Sequence, residues 1–498
     1  MNTAIIIFLL TVASFLLGLT RDLAIAKYFG ASWVSDALFL ALVVPVFFEN
    51  ILGIALRDAL IPHLKTVQSH HLPSYEGEVN RLGGLVLFAS SGILLLFLAA
   101  PKFWVGIMAP GWGDAQVGLA TELFAVGTIL VFVHAWGYFQ AGILNSEDVF
   151  VLPMWRPIMF NVGALAGILL YPGHIASVLI GMIVLLVCHS IWMQAKLGAR
   201  GLQGSAFYPR EFFTSRVAFL KGFLPVLAGT AALQVIVISE RVFSSWLQPG
   251  SLSALSYAYR LTTVPLVLFS VSSLTLIFPL LVAHHLDESD DGFRVVLVKG
   301  LKATLLILVP AAIFLHVFAE PITSLLFEHG VFRAREREMT AAAVGAYAMG
   351  LPFLGLALLG SRAVLALGKS RLLLKAALLG MTATIAAQAL SYKALNTMGL
   401  AAAVSLGGAL QAFVLWRDIL RLVPVPGFWL TLTRWFVAAL IIIAILPLWP
   451  WSNVLGLIAA GVGMLVSLLA FLWFLGERKF VSRDLFRLEV PWAKPTGC

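Results

Sequence analysis

The residues able to do chemistry in this chain are charged side chains set in or beside long apolar runs. Arg21, Asp22 and Lys27 follow the first run, and Asp36, Glu49, Arg57 and Asp58 lie in the second. Glu240 and Arg241 end the seventh, Arg260 lies within the eighth and Arg362 ends the tenth. An ionised group at mid-bilayer costs from about 2.5 kcal/mol to far more, so each needs a partner, a wet cavity or a ligand. Arginine's planar fork donates two parallel charge-assisted hydrogen bonds and stays protonated at physiological pH, which suits it to phosphate. Cavity arginines from two helices would hold a diphosphate between them. Arg260, flanked by Tyr257 and Tyr259, is the strongest anion-ligand candidate; its competing reading is an ion pair with Asp36 or Glu240 that only joins helices. Arg21 with Asp22 reads as a cavity-wall pair or as a snorkelling helix-end anchor. Glu240 and Arg241 read as a local pair, or as a carboxylate that exchanges arginine partners while a cavity opens and closes.

The elements that position these groups follow from composition. The chain has 498 residues, 60% of them hydrophobic and 11% charged, with mean hydropathy +0.97. That excludes a set of soluble domains and predicts an all-α polytopic membrane protein. Apolar runs bounded by charge, Gly and Pro predict about fourteen spans: near 3–20, 32–61, 82–100, 118–140, 150–171, 174–195, 217–245, 252–283, 301–319, 340–366, 372–392, 396–415, 431–449 and 453–475. Continuous runs such as Gly83–Ala100 exclude a transmembrane barrel, whose strands alternate over about ten residues. The first run, Thr3–Leu19, lacks a basic leader and a small-residue cleavage site, so it reads as a retained span.

Lys and Arg are about threefold richer in the even-numbered loops and C-terminal tail than in the odd loops, which places both termini in the cytoplasm by the positive-inside rule. The formal charge of +9 is scattered, without a basic tract, so nucleic acid is not an expected partner. Cys188 and Cys498 are the only cysteines and support no disulfide framework. His63, His70 and His71 with Glu76 and Glu78 lack the helical spacing of a metal site, and no metal or cofactor is expected. Arg156 between Pro153 and Pro157 reads as a headgroup-level anchor, and Arg333 to Glu338 as a solvated helix start. No phosphate-cradling Gly loop, nucleophile elbow or acidic Mg²⁺ motif is present, so an enzyme is not expected. Val44-Pro45 with Ile61-Pro62, against Val264-Pro265 with Phe278-Pro279, hints at an internal repeat. A repeat predicts two bundles with broken helices facing a shared cavity.

Several motifs carry a resemblance: Leu17 to Asp22 with Phe29-Gly30-Ala31 and Ser35-Asp36-Ala37; Ala109-Pro110-Gly111-Trp112; and Asn145-Ser146 through Pro153 and Pro157 to Asn161. Further along come Gly250-Ser251 with Tyr257 to Leu261 and Pro265, then Leu326 to Phe332. In this order they resemble the MurJ/MviN family of lipid-linked saccharide flippases, within the multidrug/oligosaccharidyl-lipid/polysaccharide exporter superfamily. The resemblance runs from about residue 10 to 370; beyond that only hydropathy is similar. It implies two six-helix lobes around a central cavity, 1–205 and 206–425, then a lipid-tail groove at 426–476 and a cytoplasmic tail at 477–498. It implies a flippase carrying an undecaprenyl-diphosphate-linked saccharide from the cytoplasmic to the periplasmic leaflet of a bacterial inner membrane, with membrane lipid around it.

By position, Arg21, Arg260 and Asp36 match family residues. Asn50 stands where the family has a second-span arginine, Phe15 where it has one early in span one, and Thr263 where it has a glutamate. Arg57, two turns on, is the expected replacement for Asn50. Arg21, Arg260, Arg57, Asp36, Asn50 and Tyr257 are therefore the expected substrate-binding set, and Asp22, Glu240 and Arg241 the coupling or gating set. The missing charges lean toward an exopolysaccharide repeat unit over lipid II as cargo, with glycosyltransferases or a polymerase of the same pathway as partners. Coupling to membrane potential or a monovalent cation is left open. The alternatives are a cation-coupled drug exporter and a non-transporting scaffold of a polysaccharide synthase complex; neighbouring genes for a polymerase or for the cell wall discriminate among the cargo readings.

Overall fold

The computed structural model describes the backbone of residues 3–69, 75–199, 234–269, 275–287, 289–446 and 454–474. The expected lobe boundary in the basic loop, the C-terminal tail, His70, His71, and the side chains of Asn50, Arg57 and Asp58 lie outside the described residues. No strand occurs among those described.

The helices run in order as α1 (Thr3–Phe29), α2 (Trp33–Ala41), α3 (Val43–Ser69), α4 (Tyr75–Ala99), α5 (Pro101–Met108), α6 (Asp114–Ser146), a 3₁₀ turn, α7 (Arg156–Leu170) and α8 (Ala176–Gly198). Then come α9, described over 234–244, α10 (Ser251–Phe269), α11 (Thr275–Leu286), α12 (Asp290–Val317) and α13 (Ala319–Phe327). The last are α14 (Ala334–Ala366), α15 (Ser370–Leu422), α16 (Phe428–Ile445) and α17 (Val454–Phe474). Ten of these, counting α7 with its 3₁₀ turn, are long and apolar enough to cross a membrane. Of the other expected spans, the second is made of α2 and α3, broken at Leu42, the thirteenth is the shorter α16, and the seventh lies largely outside the described residues. α10 and α11 both fall within the eighth. The 53-residue α15 is interrupted at Asn396, whose φ is +49° and ψ −134°, so it supplies two spans. The architecture is thus nearly all helical and consistent with about fourteen spans. Pro45 falls in the first turn of α3, where a missing N–H costs no helical bond. Pro62, Pro265 and Pro279 sit inside helices.

Two compact units divide the chain. The first comprises Met1–Val264, Glu320–Tyr347 and Leu374–Leu410, and the second Pro265–Ala319, Ala348–Leu373 and Gln411–Cys498. In the first, α6 is the axis: α2, α3, α4, α5 and α8 pack around it, and α7 lies between α1 and α8. Leu60, Leu64, Val79, Leu82, Phe139 and Ile143 form a continuous buried cluster there. In the second unit α12 packs on α11, α16 and α17, and the Trp416 indole N–H donates to the Leu356 carbonyl at 3.0 Å.

Lipid tails are as apolar as leucine, so helices in a membrane associate through close packing, and small residues permit it. The α7–α8 pair shows this in Gly163 and Gly167, four apart on α7, facing Ser177 and Gly181 on α8. A Cβ on Gly167 would stand 2.0 Å from the Ser177 carbonyl oxygen, and one on Gly181 2.0 Å from that of Gly163. Substituting Gly167→Val must push α8 away, and overpacking of this kind costs about 1–3 kcal/mol. The thermal midpoint of the purified protein should fall by several degrees, while Leu169→Val at an exposed position of the same helix should leave it unchanged.

Candidate functional site

Within the first unit a cavity of about 650 Å³ opens at the level of the buried charges. Its wall is assembled from α1 (Ser14, Phe15, Arg21, Asp22), α3 (Val46, Phe47, Glu49), α7 (Pro157, Phe160, Asn161), α9 (Gln234, Arg241) and α10 (Ser256, Tyr259, Arg260, Thr263). The stretches of these helices beside the cavity are largely apolar, so a charged group on the wall is one the membrane would exclude unless it faced water or a partner.

The centre is Asp22. Its Oδ1 accepts from Arg21 Nε at 2.9 Å and Arg21 Nη2 at 2.7 Å, and its Oδ2 accepts from Arg260 Nε at 2.8 Å. Arg21 Nη1 donates to Asn161 Oδ1 at 3.0 Å, while Asn161 Nδ2 donates to the Pro157 carbonyl at 2.9 Å and the Ser14 carbonyl at 3.1 Å. Arg21 is therefore buried with its donors engaged, and the Phe160 ring lies 5.6 Å from its guanidinium carbon. Arg260 is different. Its side chain is 31% exposed, it donates through Nε alone, and both Nη groups lack a hydrogen-bond partner among the described residues. The Phe15 ring lies 5.8 Å from that guanidinium carbon, within cation–π range. The open fork of Arg260 is thus the part of the cluster that faces the cavity, and Arg21 is the charge that orients Asp22 beneath it. The pairing of Arg260 with Asp36 or Glu240, weighed from the sequence, is replaced by a pairing with Asp22.

Of the other expected site residues, Arg241 reaches the wall and pairs with Glu240 at 3.2 Å, while Glu240 is buried and also accepts from the Tyr347 hydroxyl. Asp36 and Tyr257 do not line the cavity; they belong to a knot of loops in the same unit. Asp36 accepts from the backbone N–H of Gly250 at 2.6 Å and of Ser253 at 2.7 Å, and from the Ser253 hydroxyl at 2.6 Å. It thereby satisfies the otherwise orphaned donors at the start of α10, as a capping carboxylate does. The Tyr257 hydroxyl donates to the Gly30 carbonyl at 2.9 Å, and the Val331 N–H to the Lys27 carbonyl at 3.1 Å. Gly30, Gly250 and Gly330 all have positive φ here, and a Cβ on Gly250 would lie 2.0 Å from the Ala31 carbonyl oxygen. The motifs around Gly30, Gly250 and Gly330 are accordingly one interlocked backbone structure.

Arg156 does not present an exposed side chain as a snorkelling headgroup anchor would. It is 1% exposed, wedged against Gly137 of α6, because α7 begins at this residue and turns its side chain into the bundle. His63 pairs with Glu78 at 2.9 Å, and no group of three or more metal-ligating side chains occurs among the described residues. The start of α14 is solvated as expected: Glu336 accepts from the Arg333 N–H, and Arg337 pairs with Glu328 at 3.1 Å. The Ser324 hydroxyl and Arg337 hold the Glu328 carboxyl below the usual carboxylate range. Asn161, Phe160 and Phe15, absent from the expected set, join the site. A lone asparagine in an apolar run four residues after a proline was the available signal.

The fold now has solved counterparts. A structure titled "Lipid II flippase MurJ, inward closed conformation" superposes with a TM-score of 0.80 at 22% identity, covering 97% of this chain and 100% of that one. An inward-facing MATE family multidrug resistance transporter of the MOP superfamily gives 0.69 at 15% identity, covering 84% of this chain and 98% of that one. Fold and site together define a helical, multi-pass membrane protein. The family model "Lipid II flippase MurJ" matches residues 25–471, and the chain belongs to the MurJ family. Relatives include the lipid II flippase MurJ of Burkholderia cenocepacia, 27% identical over 366 residues, covering 69% of this chain and 70% of that one. The probable lipid II flippase MurJ of Buchnera aphidicola (subsp. Acyrthosiphon pisum) is 28% identical over 357 residues, covering 69% and 68%.

The placement of Asp36 generates a test. Asp36→Asn removes the charge from three hydrogen bonds and should lower the thermal midpoint by the equivalent of about 1–3 kcal/mol, with lipid binding by the folded protein retained. An unchanged midpoint with lost binding would make Asp36 a ligand after all.

Proposed function

We propose that this protein is a flippase for a polyprenyl-diphosphate-linked saccharide, with Arg260 as the residue that takes the diphosphate. The observation that carries this reading is the open Arg260 fork on the cavity wall, held in place by Asp22 and backed by Arg21. The lining sets three arginines, 21, 241 and 260, against two carboxylates, 22 and 49. That balance favours an anionic cargo over the cationic substrates a drug exporter would select, and family membership points the same way. A diphosphate entering the site takes the open Nη edge of Arg260 while Asp22 keeps Nε, so the ligand meets a guanidinium that is already positioned and only half compensated.

Lipid II is the cargo that family membership and the lipid II flippases among the relatives support. Under this reading the headgroup loads from the cytoplasmic leaflet of the bacterial inner membrane, the lipid tail stays in the bilayer, and alternating access releases the headgroup on the other side. Both termini then face the cytoplasm. Membrane potential is a sufficient source of bias, since one elementary charge across 100 mV is worth about 2.3 kcal/mol. A second reading, an exopolysaccharide repeat unit delivered by glycosyltransferases and taken by a polymerase, is favoured by one observation. Phe15 and Thr263, which stand where the resemblance expects an arginine and a glutamate, both line the cavity.

Cells depleted of their own lipid II flippase and supplied with this chain test the function. Survival and external labelling of lipid II are expected with the natural sequence. Arg260→Ala should lose both while remaining in the membrane. Normal export by Arg260→Ala would remove the anion-ligand assignment, and failure of the natural sequence, with the protein present, would transfer the cargo assignment to a polymer repeat unit.

A further inference from the structure

On the α3 side of the cavity stands a carboxylate that the diphosphate site does not use. Glu49 lines the wall with its side chain 20% exposed. Its Oε1 accepts one hydrogen bond, from the Tyr138 hydroxyl at 3.1 Å, and the His134 Nε2 stands 3.9 Å from Oε2, too far for a hydrogen bond. Asp22 by contrast is 3% exposed and has both oxygens occupied by arginine. Glu49 is therefore a cavity carboxylate with acceptor capacity left over.

What stands behind Glu49 keeps it so. Arg156, 1% exposed on α7, donates through Nη2 to the Val133 carbonyl at 2.8 Å and contacts His134 Nδ1 at 3.2 Å, and its guanidinium carbon lies 5.1 Å from the Tyr138 ring centre. No carboxylate lies within ion-pair distance of it among the described residues, and its Nε and Nη1 have no hydrogen-bond partner. Tyr138, whose ring the guanidinium approaches and whose hydroxyl donates to Glu49, links the two. A Cβ on Gly137 would lie 1.9 Å from Nη1, so α6 carries a glycine where the guanidinium must pass. The result is a buried cation one layer behind Glu49, balancing its charge without covering its cavity-facing oxygens.

We propose that Glu49 reads the saccharide: its carboxylate accepts hydrogen bonds from hydroxyl or N–H groups of the cargo headgroup while the diphosphate sits on Arg260. The inference rests on the flippase reading above. An ionised carboxylate is an acceptor only, with room for several donors, and a sugar presents hydroxyl donors in pairs. The same charge repels a diphosphate, so the cavity has a phosphate end at Arg260 and a sugar end at Glu49, which fixes headgroup orientation by attraction at one end and exclusion at the other.

The test compares two lipids on the purified full chain in nanodiscs: lipid II and bare undecaprenyl diphosphate. The natural sequence should bind the saccharide-bearing lipid more tightly. Glu49→Gln should reduce that advantage roughly tenfold or more, as expected for loss of a charged hydrogen-bond partner, with the affinity for bare undecaprenyl diphosphate shifted much less. Arg260→Ala should weaken both lipids together. An unchanged advantage in Glu49→Gln overturns the proposal, and so does an equal loss for both lipids, which would make Glu49 a support of the fold or of the phosphate end. If Glu49→Gln does not yield folded protein, Glu49→Asp carries the same comparison; drawing the carboxylate back one methylene should reduce the advantage, and no reduction overturns the proposal. Natural protein that binds neither lipid marks failure of the flippase reading itself, and the proposal falls with it.

Discussion

A charge held at membrane depth must be neutralised without being used up. The Arg21–Asp22–Arg260 cluster meets that constraint by unequal sharing. Arg21 takes one carboxylate oxygen with two donors and is pinned on its other side by Asn161, whereas Arg260 takes the second oxygen through Nε alone. One guanidinium becomes structure and the other keeps its fork for a ligand. The net charge of the trio is positive, so an anion is the natural complement, and Asp22 holds the fork that would receive it. Removing Asp22 would leave two arginines uncompensated in a low-dielectric setting, the situation in which a broken buried pair costs about 3–5 kcal/mol.

The rest of the first unit serves to hold helices that carry these groups in register. α1 reaches the site because its C-terminal end is clasped by the loops at Gly30, Gly250 and Gly330, and α10 starts where Asp36 caps it. The capped Gly250 lies seven residues before Tyr257 and ten before Arg260, roughly three helical turns from the latter, so a fixed start sets the height and rotation of the guanidinium. α7 brings Asn161 and Phe160 to the wall because glycines let it press on α8 while its other face meets α1. Backbone locking at one end and close helix packing along the side are the two devices by which an apolar bundle places a few polar atoms to within ångströms.

Much of this was legible in the sequence. Hydropathy gave the helical class and span number because the bilayer fixes helix length, and the cost of membrane-depth charge singled out Arg21, Asp22 and Arg260 before any geometry. Hydrogen-bond partners were not legible, since they join residues far apart in the chain: Asp36 meets Gly250 across 214 positions, and Arg21 meets Asn161 across 140. Asp36 and Tyr257 carry the same chemistry as ligands, and only the fold shows that their polar atoms are committed to backbone groups. Arg156 looked interfacial because prolines flank it, yet those prolines start α7 and turn the arginine inward. Glu49 stood among the span-two charges with no feature to separate it from its neighbours, because its meaning comes from an arginine on another helix.

The central claim is that the diphosphate of the cargo sits on the open Nη fork of Arg260, with Asp22 still holding its Nε. An experimental structure of the full chain with bound undecaprenyl-diphosphate-linked saccharide measures this directly. The account predicts phosphate oxygens within hydrogen-bond distance of both Arg260 Nη groups, with the Asp22 to Arg260 Nε contact retained. Phosphate density elsewhere in the cavity, with both Nη groups left without phosphate, would contradict it.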